Sequence, residues 1–591
     1  MKFLIFFTTL SFLVNLNSIA CLPNGITFTT QQEIDDFPTN YTGCDIIEGD
    51  LKIEGNDITN LNGLSSIEEI EGFFQIDNCE NLSSLTGLDN VLKIGAALIV
   101  NSGLTDFQGL NNLSSVSFSF SLTNNLDLES FNGLGSLQEV GTAFQVNGTP
   151  KIKNFLGLNE LSQVNQLSVN NNDSIVNFEG LESLTFFNQA TINDNPKLEN
   201  FVGLEGLENI GSPNNIAFFM LTNNDTFVDF TGLENVENII ANITLDSLNS
   251  FEGFNGLENL QLMYSLYMNK CPVFNDFSNL NNIEMLENLE IYYSDAMEGL
   301  NGLENLKYIY NSLTLIENGS LTDIDALQNL ETVEFANIGS NENLESLNLN
   351  SLKETQSSFF IYGNNSLSEV TGLNNLEKVG GSFVISNNEN LASLNGLENL
   401  KEINTSLELR NLTLISTLVP LSNLEIIGSL ALIEELNNLS SLEGLENVDG
   451  SQLNNLVLIN NSKLSVCAIT SVCKFFEVKG PNAGMIENNN NNCSSQSEII
   501  DECEVLTLSE NSLELNIYPN PASEKLYIDF EGLPAKNTKL SLYTLKGEHV
   551  LSRNIDKNHL EIDLLHLESG IYSLKIRGLN GVSVHKVSII N

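Results

Sequence analysis

The side chains that usually carry catalysis are scarce in the first 514 residues of this chain. All four histidines (His549, His559, His566, His585) lie in the last 77 residues, tryptophan is absent, and Arg410 is the single arginine before residue 515. Ser-His-Asp and Cys-His nucleophilic chemistry and His-ligated metal sites therefore have no base or ligand there. Glycoside hydrolysis asks only for two carboxylates about 5–10 Å apart. With 68 Asp and Glu against 15 Lys and Arg in residues 1–514, such pairs arise anywhere by accident and point to no site. Elimination from a uronate polymer needs a base and cations to neutralise substrate carboxylates, and twelve Lys and Arg spread over residues 51–465 supply them poorly. No D-x-[DN]-x-[DN]-G calcium loop is present. A net charge of −52 excludes non-specific nucleic-acid binding, which needs a basic stripe to replace counterions. The residues imply no cofactor and no metal, and the acidic surface reads as solubility outside a cell.

What remains is binding, and binding residues must be held by an array. One unit, Phe383 to Leu407, recurs down the chain with apolar residues at Phe383, Ile385, Leu391, Leu394, Leu397, Leu400, Ile403 and Leu407. The two-residue step is a strand that turns alternate side chains inward. Steps of three fit neither an α-helix nor a long strand, and suggest tight turns that return one Leu per corner to a shared interior. Counted by the Gly-Leu step, rungs fall at Gly63, Gly87 and so on to Gly444. All are 22 to 24 residues long except one of 29, between Gly203 and Gly232. A period in this range marks a solenoid rather than several globular domains. Outward strand positions carry Tyr267 and Tyr292 on adjacent rungs, Phe360 and Tyr362 three rungs further, and Arg410 two rungs beyond. At about 4.8 Å per rung the aromatics fall within reach of one patch suited to sugar rings or peptides. The competing explanation is that they pack across rungs to stabilise the sheet.

The repeat, L-x-I-x-x-N followed by sL-x-GL-x-nL-x-x-I-G-G, resembles the leucine-rich, receptor-L-domain-like proteins common in Bacteroidetes. The resemblance covers residues 45–465 or so, and it implies architecture while leaving the ligand open, because repeat surfaces diverge while cores persist.

At the start, Lys2 precedes a largely apolar run from Phe3 to Val14, and Ser18-Ile19-Ala20 offers small residues before a cut at Cys21. This is the pattern of a signal peptide, too short to span a membrane. Acylation of Cys21 is the alternative fate, although Ser18 is a poor residue for it. Cys44 lies 23 residues on, and closing that loop would staple an N-terminal cap. Eight cysteines in an exported chain suggest disulfides. Cys467, Cys473, Cys493 and Cys503 cluster where the repeats stop, where a cap is expected, and their pairing is left open by spacing. Cys79 and Cys271 share a rung phase eight rungs apart. That is roughly 38 Å at the strand spacing, beyond the about 7 Å reach of a bridge.

After Cys503 the charge balance changes: residues 515–591 carry nine Lys and Arg against eight Asp and Glu. Short alternating segments between Gly, Pro and Asn turns read as a small antiparallel β-sandwich. LNIYPNPASEKLYIDF (Leu515 to Phe530), SGIYSLKI (Ser569 to Ile576) and the terminal HKVSIIN resemble the C-terminal sorting domain of the Bacteroidetes type IX secretion system. By that resemblance Tyr518, Pro519, Asn520, Pro521, Gly570 and Tyr572 form the sorting motif, and the partner is the type IX machinery.

The expected chain is mainly β. Signal peptide (1–20) and N-terminal cap (21–50) precede a leucine-rich, β-helix-like solenoid of about 18 rungs (51–465). A cysteine-rich cap (466–505), a linker (506–514) and the sorting sandwich (515–591) follow. No transmembrane segment is expected. The function expected is recognition or adhesion by a secreted or outer-membrane surface-attached protein, after removal of the signal peptide and sorting domain, binding an unknown extracellular glycan or protein through the strand face of the solenoid. A polysaccharide-degrading β-solenoid enzyme and a ligand-free structural surface protein are the competing readings.

Overall fold

The computed structural model describes residues 19–214, 216–507, 515–530, 538–544, 549–555, 557–578 and 581–590. The expected signal peptide, but for Ile19 and Ala20, and residues 508–514 of the expected linker lie outside them. The chain is mainly β: a β-solenoid of about 19 turns followed by two small antiparallel sheets. It divides into two bodies, residues 1–356 with 363–365, and residues 357–362 with 366–591.

The rung at 383–407, in the second body, shows why apolar steps of two and three alternate. In the strand Phe383–Ser386, Phe383 and Ile385 are fully buried and Val384 points outward between Phe360 and Glu408 of the neighbouring strands. Past the strand, backbone N–H groups donate three residues back, Leu391 to Asn388 (3.1 Å), Leu397 to Leu394 (3.2 Å) and Leu400 to Leu397 (3.1 Å). Each such turn brings every third side chain to the same side. Leu391, Leu394, Leu397 and Leu400 are accordingly buried. At Thr371–Leu373 and Val419–Leu421, and at Asn62–Leu64 and Asp325–Asn329 in the first body, the corner tightens into a 3-10 helix.

Two further columns run through the first body. Phe107, Phe131, Phe155, Phe178, Phe201, Phe230, Phe254 and Phe277 stack ring on ring, with centroids 5.3 to 5.9 Å apart. Behind each strand the chain turns through one residue of positive φ, such as Asn124, Asn171 and Asn223, and asparagine tolerates that conformation best among non-glycine residues. The next residue is a buried Asn at many rungs. Asn341 donates from Nδ2 to the Leu315 carbonyl (2.9 Å), while its Oδ1 accepts from the Asn318 backbone N–H (3.0 Å). Such a ladder satisfies turn backbone that the stacked rungs close off from water. Asn341→Ala would orphan both groups and cost about 1–3 kcal/mol. Chemical denaturation of the secreted protein measures it, and a loss no larger than that of an exposed Asn→Ala would refute the ladder's role.

The array starts before residue 51. Ala20–Cys21 and Ile26–Phe28 already pair in parallel with Ile46–Ile47 and Leu51–Ile53, so the N-terminal cap carries a first rung. A helix, Gln31–Asp35, begins with a capping box between Thr30 and Glu33 and buries Ile34. Cys21 is bonded to Cys44 across this segment. In the second body the strand Met485–Glu487 pairs onto Asn455–Ile459, and helices Thr470–Lys479 and Gln496–Thr507 flank it. Cys467 is bonded to Cys493 and Cys473 to Cys503. Among the described residues the sandwich has three strands in one sheet, Leu515–Tyr518, Lys525–Phe530 and His559–Asp563. The other sheet has four: His549–Asn554, Lys539–Thr544, Gly570–Gly578 and Gly581–Ile589. Leu526, Ile528, Leu542, Leu574 and Val587 are among its fully buried residues.

Candidate functional site

The residues expected to form the sorting motif are held as one unit although they lie about fifty residues apart in sequence. Asn520 donates from Nδ2 to the Lys586 carbonyl (2.7 Å) and accepts from the Ser588 N–H (2.8 Å). The N–H of Ala522 donates to the Ser588 carbonyl, and that of Ile590 to the Ala522 carbonyl, both at 2.8 Å. The Pro519–Pro521 turn is thereby clipped to the last strand. Tyr518 donates its hydroxyl to Asp529 (2.5 Å), which His559 also contacts. These contacts, Tyr518 first, hold the Asp529 carboxyl below its usual range. Gly570 pairs with Ile589, and the buried Tyr572 donates its hydroxyl to the Glu568 carbonyl (2.8 Å).

The binding candidates all occupy outward strand positions, in two bodies. In the first, Tyr267 lies opposite Glu290, and Tyr292 opposite Asn269. Their rings lean together diagonally across the rungs with centroids 5.5 Å apart. Both are half-buried. Burial first, then Glu290 and Tyr267, pushes the Tyr292 phenol up to about 12. In the second body Phe360 stands opposite Val384, and Tyr362 opposite Ser386, which in turn faces Arg410. The Arg410 guanidinium sits 2.6 Å from Glu408 and 3.7 Å from Glu434.

Other tyrosines on this face are not picked out by strand alternation alone. Tyr308 and Tyr310 stack at 6.2 Å on the strand Tyr308–Ile316, and Tyr264 stands at the bulge of Leu262–Asn269, where register with the preceding strand shifts. The signal that could have found them is density: Tyr264, Tyr267, Tyr292, Tyr293, Tyr308 and Tyr310 are six of the chain's twelve tyrosines, within three rungs.

Cys79 and Cys271 are free, buried thiols. Each takes the ladder place that Asn holds elsewhere. Cys79 Sγ lies 3.5 Å from the Ile53 carbonyl and 3.4 Å from that of Asp77. Burial raises both thiols, that of Cys271 to about 12, which favours the neutral thiol over the nucleophilic thiolate.

Residues 516–591 match the family described as Secretion system C-terminal sorting domain. Residues 43–102 and 283–372 match the Receptor L domain family. A solved structure similar to this chain is a leucine-rich repeat protein from Bacteroides ovatus ATCC 8483, at 13% identity over 62% of this chain and 83% of that one. Its TM-score of 0.18 is too low to bear on the fold. No curated protein matches the sequence. The family matches fall on the segments whose motifs carry the two resemblances. A sorting domain of this kind marks the chain for secretion or attachment to the cell surface. Among the described residues, no helix is long and apolar enough to cross a membrane.

Proposed function

We propose that the mature chain is a secreted or surface-attached recognition protein that captures an extracellular glycan or protein on the outward face of its solenoid strands, without covalent chemistry. The observation that carries this reading is the face itself. Inward residues of each strand are locked in the core, so outward residues can vary without loss of fold, and on Leu262–Asn269 and Met285–Tyr292 they include Tyr264, Tyr267 and Tyr292. The chemistry of residues 1–514 agrees, since they hold no histidine and one arginine. The secreted protein should retain a partner from host or biofilm extracts, or a defined polysaccharide, without shortening it or leaving unsaturated ends. Chain cleavage would favour the enzyme, and retention of nothing at micromolar protein would favour a structural coat.

Export rests on the sandwich acting as an address. The mature extracellular form should end between Cys503 and Leu515. Deletion from Ser569 onward removes both Gly570–Gly578 and Gly581–Ile589, the latter being the strand that clips the Asn520 turn. It should trap the chain in the periplasm. Intact mass decides the point, and a full-length C-terminus outside the cell would overturn removal of the sorting domain.

A further inference from the structure

Some outward carboxylates on the solenoid strands are matched by the chain's own cations. Lys52 lies 2.6 Å from Glu54 and 3.7 Å from Asp77 in the first body, and Arg410 bridges Glu408 and Glu434 in the second. Glu290 occupies the same place in its rung as Glu408, three residues before the left-handed residue, Tyr293 in one case and Asn411 in the other. Two residues beyond Glu408 the chain supplies Arg410. Two residues beyond Glu290 it supplies Tyr292, whose hydroxyl donates to Glu290 at 3.4 Å. The strands Leu262–Asn269, Met285–Tyr292 and Tyr308–Ile316 hold no Lys or Arg, and their charged residues are Glu287 and Glu290, both half-buried. The same three strands carry Tyr264, Tyr267, Tyr292, Tyr308 and Tyr310, the last 53% exposed.

We propose that this face is a docking platform for a cationic polypeptide segment, with an arginine side chain of the partner seated against Glu290 and over the rings of Tyr267 and Tyr292. The proposal rests on the recognition reading above and names its partner's chemistry. Charge complementarity selects the occupant. A chain of net charge −52 steers cations toward itself and repels anionic polymers. Among the described residues, Glu290 at this face has no cation like the one that Arg410 gives Glu408. A guanidinium satisfies both features present, pairing with carboxylate oxygens and stacking on aromatic faces, where an ammonium or a neutral sugar meets one of them less well. Half-buried tyrosines also suit a protein partner, since they bring contact area at small cost in side-chain entropy.

The test uses the full secreted protein and an immobilised Gly-Ser peptide of about a dozen residues, long enough to cross the platform when extended at about 3.3 Å per residue. One version carries arginines and the other citrullines. The arginine peptide should be retained, and the citrulline peptide should bind about tenfold more weakly or worse. Glu290→Gln and Tyr267→Ala should each lower affinity about tenfold, with Tyr267→Phe restoring it. Glu345→Gln, an exposed carboxylate outside the platform, should leave binding unchanged. Equal binding of the citrulline peptide, or equal loss from Glu345→Gln, would overturn the proposal in favour of diffuse attraction. Retention of a neutral oligosaccharide such as cellohexaose in place of the peptide would assign the face to sugar. If the arginine peptide is not retained while biofilm or host material is, the platform assignment fails and the recognition reading stands.

Discussion

Gly203→Ala is expected to destabilise the first body by about 2–5 kcal/mol, while Gly135→Ala changes stability by less than about 0.5 kcal/mol. Gly203 sits at a corner with φ +102°, a conformation that costs an L side chain about 1–2 kcal/mol. An added Cβ would also lie 2.2 Å from the carbonyl carbon and oxygen of Phe178 on the previous rung. The rungs cannot part to admit it. Neighbouring strands are fixed about 4.8 Å apart by their hydrogen bonds, and the Phe178 and Phe201 rings stack beside the corner at 5.5 Å. Overpacking of this kind costs about 1–3 kcal/mol beyond the conformational penalty. Gly135 is exposed, its φ is not positive, and a Cβ added there would meet nothing within 4 Å. Chemical denaturation of the secreted protein separates the two, and equal losses would refute the close approach of stacked corners.

Leu397→Ala should cost about 2–5 kcal/mol in the second body. Leu397 is fully buried, and its backbone links two successive turns, donating to Leu394 and accepting from Leu400. Rungs above and below are pinned by their own strands, so the space left by the side chain cannot readily collapse. Val384→Ala, on the outward side of Phe383–Ser386, should cost under about 1 kcal/mol. If the two variants lost stability equally, the inward and outward assignment of the rung would fail, and with it the binding face.

The rung is legible in the order of residues alone. A step of two followed by steps of three is a local property, imposed by strand alternation and three-residue turns. It is enough to assign Leu391, Leu394, Leu397 and Leu400 to the core and Val384 to the surface, where the fold places them. The Asn387-Asn388 pair likewise announces a break between strand and corner. Folding settles everything that depends on which residues about 23 positions apart come to lie side by side. Bulges shift the register between Ile239 and Asn242, and again between Leu286 and Asn288. They interrupt the pairs on either side of Leu262–Asn269 and Met285–Tyr292, and counting along one strand does not say that in the unshifted pair between them Tyr267 faces Glu290 while its ring leans on Tyr292. The same holds for Arg410, whose two carboxylate partners sit on its own strand and the next, and for the pairings Cys467–Cys493 and Cys473–Cys503. It holds most plainly for Asn520, joined to Lys586 and Ser588 across more than sixty residues. Periodicity is written by the backbone within one turn, whereas adjacency between turns is settled only when the stacked backbones choose their hydrogen bonds.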